Sequence, residues 1–523
     1  MNNVNERMPV RYPVGIQSFE KLRTEGYLYV DKTLHIRRLV EMGNPYFLSR
    51  PRRFGKSLLL STIEAYFLGK KELFRGLAID QWEKDWKAYP VLHFSLNAEK
   101  YETVEDLENM LEVQLSTWES EYDVHSLVDS YAIRFKTVIQ KAYEKTGLRV
   151  VVLIDEYDKP LLRVMHNEEL QVRYRNLLTA FYTVLKDADP FLHFVFITGV
   201  TKFAQMGIFS NLNQLMDISF DEDFADLCGL TRQEIMDTFP IGLSSLAAKN
   251  KLTEEEALDK LTQLYDGYHF SPYNTVGVYN PFSILQALSK NVYGMYWFAS
   301  GTPTFLVEML KETDFDIRNL EGIKIDDSTL TNDRADMSNP IPMIYQSGYL
   351  TIKSYDEEFR IYTLGFPNEE VRYGFLSFAA PYYGSVPRES TAFHIGCFIK
   401  ELRAGETDSF LNRLKAFFAD FPYELSDKSE RHYQVVFYLV FKLMGQFTQT
   451  EVQSARGRAD AVVWTPDYIY VFEFKLNGSA EEALEQIDDK GYLIPYTADE
   501  RKLIKVGVSF DKQKRNLDKW LVL

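Results

Sequence analysis

A short basic stretch near the N-terminus, residues 49–57, has the residue types and spacing that bind phosphate. It ends in Gly55-Lys56-Ser57, with an apolar segment, 46–48, before it and an amphipathic segment, 57–67, after it. A strand, a glycine-containing turn and a helix in this order can cradle an anion with backbone N–H groups at the helix N-terminus. Lys56 would then reach the β- and γ-phosphates of a nucleotide, and the Ser57 hydroxyl would ligate Mg²⁺.

The match to the usual pattern, G-x-x-x-x-G-K-[ST], is incomplete because Arg50 stands where the first glycine is expected. Taken alone, the stretch is equally consistent with a basic surface turn that caps an ordinary helix. If it is a nucleotide site, the arginines of the loop, Arg50 included, would contact phosphate or a neighbouring acid. The residues that we expect to bind the nucleotide in this loop are Arg52, Arg53, Phe54, Gly55, Lys56 and Ser57.

Two carboxylates, Asp155 and Glu156, directly follow the apolar run 150–154. Such a run is typical of a strand that is buried on both faces of a parallel sheet. At the carboxyl end of the strand, Asp155 would complete the Mg²⁺ site with Ser57, and Glu156 would act as the catalytic base that polarises water. The alternative is two solvated acids at a strand end, which the wholly apolar strand disfavours.

A further predicted strand, 192–199, also ends in polar residues. Thr198 is the candidate for a side chain that senses the γ-phosphate, and the alternative is that it only caps the strand. Segment 215–218 is predicted as the last strand of the same sheet. Because strands alternate with helical segments, the sequence predicts a parallel α/β sheet with ligand groups at the carboxyl ends of the strands.

The last third of the chain contains a second group of residues that could do chemistry. Asp460 begins one predicted strand and segment 473–475 ends the next, so the two carboxylates converge if the strands are antiparallel. Glu473 and Lys475 share a face because side chains alternate along a strand. Two carboxylates and a lysine predict a metal-dependent phosphodiesterase site, with Asp460 and Glu473 as ligands of Mg²⁺ or Mn²⁺ and Lys475 positioning water or the anion.

Two more residues extend this second site. Glu430, on the preceding predicted helix, would add a metal ligand, and Gln486, on the predicted helix 480–492, would orient the site. The alternative is a hairpin with alternating solvated charges. The apolar neighbours Val471, Phe472 and Phe474 make the acid and the lysine conspicuous, and they favour the site.

Length and composition bound the protein class. With 523 residues the chain should divide into two to four domains, and its 46% hydrophobic residues can form sizeable cores. The 59 basic and 75 acidic residues give a net charge of −16, which excludes a bulk electrostatic binder of nucleic acid or anionic membrane. Two distant cysteines and a polar N-terminus argue against a disulfide framework and a signal peptide, and favour a cytoplasmic protein without a membrane partner.

The remaining elements must position these groups. Segment 27–30 is predicted as a short strand, and residues 226–320 are predicted to be mainly helical. The polar and acidic segment 321–340 is predicted as a loop or linker. Segments 346–352 and 359–364 are predicted to form a β-hairpin, and the break at 384–387 is the predicted domain boundary.

Taken together, these segments resemble the bacterial family that joins an AAA-ATPase-like domain to a PD-(D/E)xK nuclease. In that family an arginine in place of the first loop glycine is normal. The resemblance implies an ATPase core of the additional-strand type, similar to STAND-class switch ATPases. It extends over nearly the whole chain and is carried by residues 29–33, 50–57, 153–160, 198–203, 265–268, 279–281, 346–349, 457–460 and 473–475.

The fold implied by the resemblance is α/β throughout. A P-loop NTPase domain with a parallel sheet is expected over 1–225, a helical lid and winged-helix-like connecting region over 226–385, and a restriction-endonuclease-like α/β domain over 386–523. The implied function is an ATP-binding and ATP-hydrolysing switch that is coupled to a Mg²⁺-dependent nuclease, with DNA favoured over RNA as substrate. A defence role and a nucleotide-dependent homo-oligomer are suggested by analogy only.

A rival hypothesis keeps the same fold but not the cleavage. In it, the protein is a nucleotide-gated module that binds nucleic acid or protein through a nuclease fold that does not cut. The presence of Asp460, Glu473 and Lys475 together favours the enzyme.

Overall fold

The computed structural model of the chain describes residues 10–523 except for 44, 98–99, 126–127, 166, 203–208, 210–213, 274–275, 300–305, 307–308, 311–312, 314, 331–338, 385–387, 420–429, 446–448, 453–459, 477 and 512–515. Side chains are also outside the description at 299, 381–384, 388–392, 418–419, 430–434 and 449–452. The chain forms two compact units, one of Met1–Ala299 with Glu321–Asn368 and one of Ser300–Leu320 with Glu369–Leu523. The predicted boundaries after residues 225 and 385 stay predictions.

Within the described part of the first unit, a parallel sheet contains β1 (Pro45–Ser49), β2 (Val91–Ser95), β3 (Val150–Asp155), β4 (Leu192–Gly199) and β5 (Met216–Asp217). The strand order is β2-β3-β4-β1-β5, and every neighbouring pair is parallel. This confirms the predicted α/β class with a parallel sheet. Since β4 lies between β1 and β3, the carboxyl ends of these three strands meet at one edge.

Helices surround this sheet because each has one apolar stripe to bury. The Phe19–Thr24 helix packs on the Lys56–Phe67 helix. The Val104–Glu121, Tyr131–Thr146 and Glu168–Asp187 helices pack against one another. The Thr103 and Asp106 side chains form a capping box at the start of Val104–Glu121, which satisfies backbone N–H groups there. The α-helices are Phe19–Thr24, Thr33–Met42, Lys56–Phe67, Val104–Glu121, Tyr131–Thr146, Lys159–Arg163 and Glu168–Asp187.

The region after β5 is helical, as predicted, and it also contains a small sheet. Leu246, Leu261 and Ile284 belong to one buried cluster that joins its helices. The helices are Arg232–Thr238, Pro240–Asn250, Glu254–Tyr265, Pro281–Lys290, Tyr296–Ala299, Asp327–Leu330 and Ile341–Gln346. Three antiparallel strands, β6 (Ile323–Asp326), β7 (Thr351–Asp356) and β8 (Ile361–Gly365), form a sheet in the order β6-β8-β7.

Two local predictions for this unit are wrong. Residues 27–30 are not a strand, because their alternating side chains pack on helices: Leu28 and Val30 contact the helical cluster, while the Tyr29 ring meets Phe19. The supposed loop 321–340 contains β6 and a helical turn, since a strand with one exposed face reads as polar. The hairpin is present, but β7 starts only at Thr351 because Gln346 ends a helix.

The second unit has a mixed sheet. Its strands are β9 (Gln449–Val452), β10 (Ala461–Trp464), β11 (Tyr468–Lys475), β12 (Lys502–Asp511) and β13 (Asn516–Val522), in the order β13-β12-β11-β10-β9. The β11–β12 pair is parallel and the other pairs are antiparallel. The Ala480–Asp489 helix connects β11 with β12 and packs on both strands, so this unit is an α/β domain as predicted.

Strand β11 is apolar on both faces, which places its few charged side chains in an unusual setting. Val471 packs with the helix residues Leu484 and Ile487 on one face, and Phe472 meets Phe441 on the other. The other α-helices of the unit are Glu369–Gly384, Arg388–Arg403, Thr407–Ala419 and Glu430–Met444. None of the helices among the described residues combines the length and apolar content that crossing a bilayer requires.

Candidate functional site

The loop between β1 and the Lys56–Phe67 helix holds Lys56 against its own backbone. Gly55 caps the helix with a φ of 92°, a conformation that glycine adopts without steric cost. The Lys56 Nζ donates hydrogen bonds to the carbonyl oxygens of Arg50 (3.0 Å) and Pro51 (3.1 Å), and the side chain is buried. A phosphate oxygen is a stronger partner for an ammonium group than a carbonyl because it carries charge. The loop therefore presents a cation that an anion can recruit.

Three residues of the predicted nucleotide site, Ser57, Asp155 and Thr198, are in contact. The Ser57 Oγ donates to Asp155 Oδ2 at 2.6 Å, and the Thr198 Oγ1 donates to Asp155 Oδ1 at 2.8 Å. Asp155 is buried at the carboxyl end of β3, while Thr198 lies on the adjacent β4. A carboxylate with two hydroxyl groups provides the oxygen ligands that Mg²⁺ prefers.

Glu156 directly follows this carboxylate and has a φ of 53°. A positive φ is uncommon for a residue with a side chain, and such residues concentrate at functional sites. Burial raises the pKa of the Glu156 carboxyl, while the charge of Lys56 opposes the shift. A carboxyl with a raised pKa beside a cationic loop is suited to accept a proton at a working pH near neutrality.

The side chains of three predicted loop residues are not gathered around Asp155. Arg52 is exposed, and the Arg53 guanidinium lies over the Phe282 ring with its carbon 4.8 Å from the ring centre. Phe54 is buried against Tyr268, with the ring centres 4.7 Å apart. For Phe54 and Gly55, contact with a phosphate would therefore involve backbone N–H groups.

Sequence reasoning missed Asp158, which is completely buried. Its carboxylate accepts hydrogen bonds from the backbone N–H groups of Val200 (3.1 Å) and Thr201 (2.7 Å) and from the Thr201 hydroxyl (2.6 Å). Asp158 thus fixes the turn after β4 to the turn after β3, and it holds the strand that carries Thr198. The available signal was a third carboxylate in the same 155–158 run.

The second unit brings Asp460, Glu473 and Lys475 together. Because Ala461 pairs with Phe472 in the antiparallel register, Asp460 lies opposite the end of β11. The Asp460 Oδ2 accepts the Phe474 N–H at 2.9 Å, and the Lys475 Nζ lies 3.5 Å from Glu473 Oε1. The Gln486 amide bridges the pair, since it donates to Glu473 Oε1 and accepts from Lys475 Nζ.

Glu473 is only 3% exposed, and its Oε2 is buried without a hydrogen-bond partner among the described residues. Burial and the nearby Asp460 raise the pKa of Glu473 to about 7, although Lys475 opposes the shift. Burial also raises the pKa of Asp460. Two carboxyl groups that resist ionisation together, with one oxygen lacking a partner, fit a divalent cation, which would relieve both effects.

The described side chains supply this pair of acids but no cluster of three or more His, Cys, Asp or Glu groups. The Glu430–Met444 helix begins at the predicted third ligand, and the Glu430 side chain lies outside the described residues. Gln486 takes the bridging position between Glu473 and Lys475, which is an arrangement able to orient both.

Comparison with known proteins assigns the family. A family model described as "Predicted AAA-ATPase" matches residues 13–209, and one described as "PD-(D/E)XK nuclease superfamily" matches residues 428–520. A protein of Azotobacter chroococcum mcd 1, described as "Uncharacterized protein in vnfD 5'region", is 35% identical over 526 residues, which cover 97% of this chain and 98% of that protein. The chain belongs to this family of AAA-ATPase-like proteins with a C-terminal PD-(D/E)XK nuclease superfamily domain.

The two domain matches include both groups of candidate residues. The AAA-ATPase-like match contains Lys56, Asp155 and Thr198, and the PD-(D/E)XK match contains Asp460 and Glu473. Among solved structures, the Aeropyrum pernix ORC2 protein (ADPNP-ADP complexes) matches at 11% identity with a TM-score of 0.26, covering 66% of this chain and 93% of that chain.

Proposed function

We propose that the AAA-ATPase-like domain binds and hydrolyses ATP and acts as a switch. The observation that carries this proposal is the convergence of Ser57 and Thr198 on Asp155 beside the loop that holds Lys56. In this proposal Lys56 binds the β- and γ-phosphates, Thr198 senses the γ-phosphate, and Glu156 is the catalytic base. Arg52, Arg53, Phe54 and Gly55 line the phosphates.

Mg²⁺ is the cation that the hydroxyl and carboxylate oxygens of Ser57 and Asp155 would hold. When bound, it would neutralise charge on the phosphate oxygens. The chain's own residues provide orientation and a base: Lys56 fixes the phosphates, and Glu156 receives a proton from water at its carboxylate.

The PD-(D/E)XK domain is proposed to cleave phosphodiester bonds of nucleic acid. Asp460 and Glu473 would hold Mg²⁺, or Mn²⁺ in its place, with Glu430 as a further ligand. The metal would supply charge neutralisation at the phosphate. Lys475, whose position Gln486 fixes, would orient water or the anion.

The proposed setting is a cytoplasmic protein whose ATP state controls the nuclease. DNA is the favoured substrate over RNA, and a defence role and a nucleotide-dependent homo-oligomer belong to the same hypothesis. The net charge of −16 requires that any nucleic acid is held by local contacts and by the metal rather than by the whole surface.

A nucleotide-gated binding module without cleavage is the second candidate. One observation favours it: Gln486 and Lys475 both lie at Glu473 Oε1, as internal partners for this carboxylate. A carboxylate that already has internal partners can serve as a buried structural group instead of a metal ligand.

ATP hydrolysis is tested with the purified protein, Mg²⁺ and radiolabelled ATP. We expect Lys56→Ala to reduce binding and hydrolysis at least tenfold, because the loop loses its phosphate-binding cation. Lys71→Ala removes an exposed lysine elsewhere and should leave both unchanged. Equal activity of Lys56→Ala and wild type would show that the loop is not the nucleotide site.

Cleavage is tested with linear, circular and single-stranded DNA and with RNA, in Mn²⁺ and in EDTA. We expect metal-dependent cleavage by the wild type and its loss in Lys475→Ala. Lys490→Ala is the matched control, because it changes an exposed lysine that directly follows the Ala480–Asp489 helix. Binding of nucleic acid without cleavage by the wild type would support the second candidate.

A further inference from the structure

Arg50 occupies the position of the missing loop glycine, and it is 1% exposed. Its Nη1 donates to the carbonyl oxygens of Ser49 (2.9 Å) and Ser219 (2.8 Å), and its Nη2 donates to the carbonyl oxygen of Phe224 (3.0 Å). The guanidinium carbon lies 4.2 Å from the centre of the Phe270 ring. The interpretation of Arg50 as a contact for phosphate or an acid therefore does not hold, because the contacts of its side chain are with main-chain carbonyls and a ring.

We infer that Arg50 is a positioning residue, which fastens the phosphate-binding loop to the segment after β5 and thereby sets the place of Lys56. Two hydrogen bonds of the Arg50 backbone support this role. The Arg50 N–H donates to the Gly199 carbonyl at 3.1 Å, at the end of β4, and the Arg50 carbonyl accepts from Lys56 Nζ at 3.0 Å. The Arg50 side chain therefore fixes the residue whose carbonyl oxygen holds the Lys56 ammonium group.

The planar shape of the guanidinium explains why arginine suits this position. Its two amino groups reach carbonyls of three different residues while its face stacks on Phe270, and this requires a rigid fork. A lysine ammonium is a compact charge on a flexible stem and cannot make both the forked and the stacked contact.

The rest of the loop is held by the same part of the chain. The Trp297 Nε1 donates to the Arg52 carbonyl at 3.0 Å, and a Cβ on Gly348 would lie 2.6 Å from Pro51 Cβ. Phe54 packs on Phe270, with the ring centres 5.3 Å apart. The motif residues at 265–268 and 346–349, which have no other assigned role, therefore lie in or next to the segments that enclose the loop.

The test compares Kd values for ATP and ADP in Mg²⁺ for the wild type, Arg50→Lys and Arg50→Gln, and it rests on the proposed function. Because Lys56 contacts the γ-phosphate only in ATP, we expect ATP binding to weaken at least tenfold in both variants and ADP binding less. The preference for ATP over ADP should therefore fall at least threefold. A general loss of protein stability would weaken the binding of both nucleotides equally and leave the preference for ATP over ADP unchanged.

Arg37→Lys is the matched control, since Arg37 also stacks on a ring, that of Trp82, away from the loop. It should keep the wild-type preference for ATP. If the Arg50 variants do not fold, Phe270→Leu leaves the Arg50 hydrogen bonds in place and removes the ring that stacks on Arg50 and packs against Phe54. It is expected to weaken ATP binding about threefold.

Failure of the wild type to bind ATP would overturn the proposed function itself. If the wild type binds ATP and Arg50→Lys binds it equally well, only the positioning role is overturned, because a lysine charge then suffices. An unchanged preference for ATP in a folded Arg50 variant, or unchanged ATP binding by Phe270→Leu when the Arg50 variants do not fold, would overturn the role as well.

Discussion

Glu473→Gln is expected to make the metal-free protein more stable at alkaline pH, although it removes a proposed metal ligand. Glu473 is buried next to Asp460, and its Oε2 has no hydrogen-bond partner among the described residues. The amide mimics the protonated acid in size and remains neutral. The wild type must instead maintain a buried negative charge above neutral pH, which is costly without a cation.

The magnitude follows from the pKa of Glu473, which rises from 4.5 to about 7. At about 1.4 kcal/mol per pKa unit, this is an upper limit of about 3.5 kcal/mol, and relaxation of the surroundings reduces it to about 1–2 kcal/mol. The pKa of Glu473 is higher in the folded state than in the unfolded state. The contribution of this group to the stability of the wild type is therefore fully present below about pH 4.5 and is lost as the pH rises through about 7. The free energy of unfolding of Glu473→Gln should therefore exceed that of the wild type at pH 8, and this difference should largely disappear at pH 5.

Scanning calorimetry of the full chain in EDTA at pH 5 and pH 8 measures this difference. For a unit of this size, about 1–2 kcal/mol corresponds to a rise of roughly 2–8 °C in the Tm of its transition. Glu485→Gln makes the same chemical change at an exposed position on the neighbouring helix and should leave the Tm unchanged at both pH values. Added Mg²⁺ should stabilise the wild type at pH 8 and not Glu473→Gln.

One result would refute the reasoning about this site. If Glu473→Gln unfolds at or below the wild-type temperature at pH 8 in EDTA, the ionised carboxylate is stabilised by its partners. Lys475 and Gln486 would then form a satisfied structural network with Glu473, and the carboxylate would need no cation.

Further predictions concern the stability of both units. Gly267→Ala should destabilise the protein by at least about 2 kcal/mol, because Gly267 has a φ of 90° and a Cβ would lie 2.2 Å from the Pro367 carbonyl oxygen. Gly396→Ala, in a helix with open space around the position, should instead stabilise it by about 0.5–1 kcal/mol, and thermal denaturation compares the two. Asp158→Ala should cost about 2–4 kcal/mol, because it leaves buried donors of residues 200–201 without their acceptor. An unchanged denaturation midpoint for Asp158→Ala would contradict that account.

Much of the first site could be predicted because it depends on local patterns. An apolar run buried on both faces predicts β3, and residues at the carboxyl ends of parallel strands must share an edge. That Ser57, Thr198 and Asp155 lie at the same edge of the sheet follows from that geometry. The strand order does not, because the insertion of β4 between β1 and β3 depends on pairings between distant segments.

Other features could not be predicted because local sequence is ambiguous. Alternating apolar residues suit a strand or an extended segment that packs on helices, and 27–30 is the latter. An edge strand with an exposed face resembles a polar loop, as β6 does. The pattern of Asp460, Glu473 and Lys475 predicted a shared site, but only the β10–β11 register places Asp460 at the end of β11, where it accepts the Phe474 N–H.

The amino-acid sequence by itself determined the two groups of chemistry-bearing residues, the α/β class and the family resemblance, because short motifs and strand patterns are encoded by neighbouring residues. Tertiary structure alone decided what each charged side chain contacts. From the sequence, Arg50 is expected to contact phosphate or a neighbouring acid, yet it lies among carbonyls of Ser49, Ser219 and Phe224. The physical reason is that the environment of a buried charge depends on segments far apart in the chain, and these meet only when it folds.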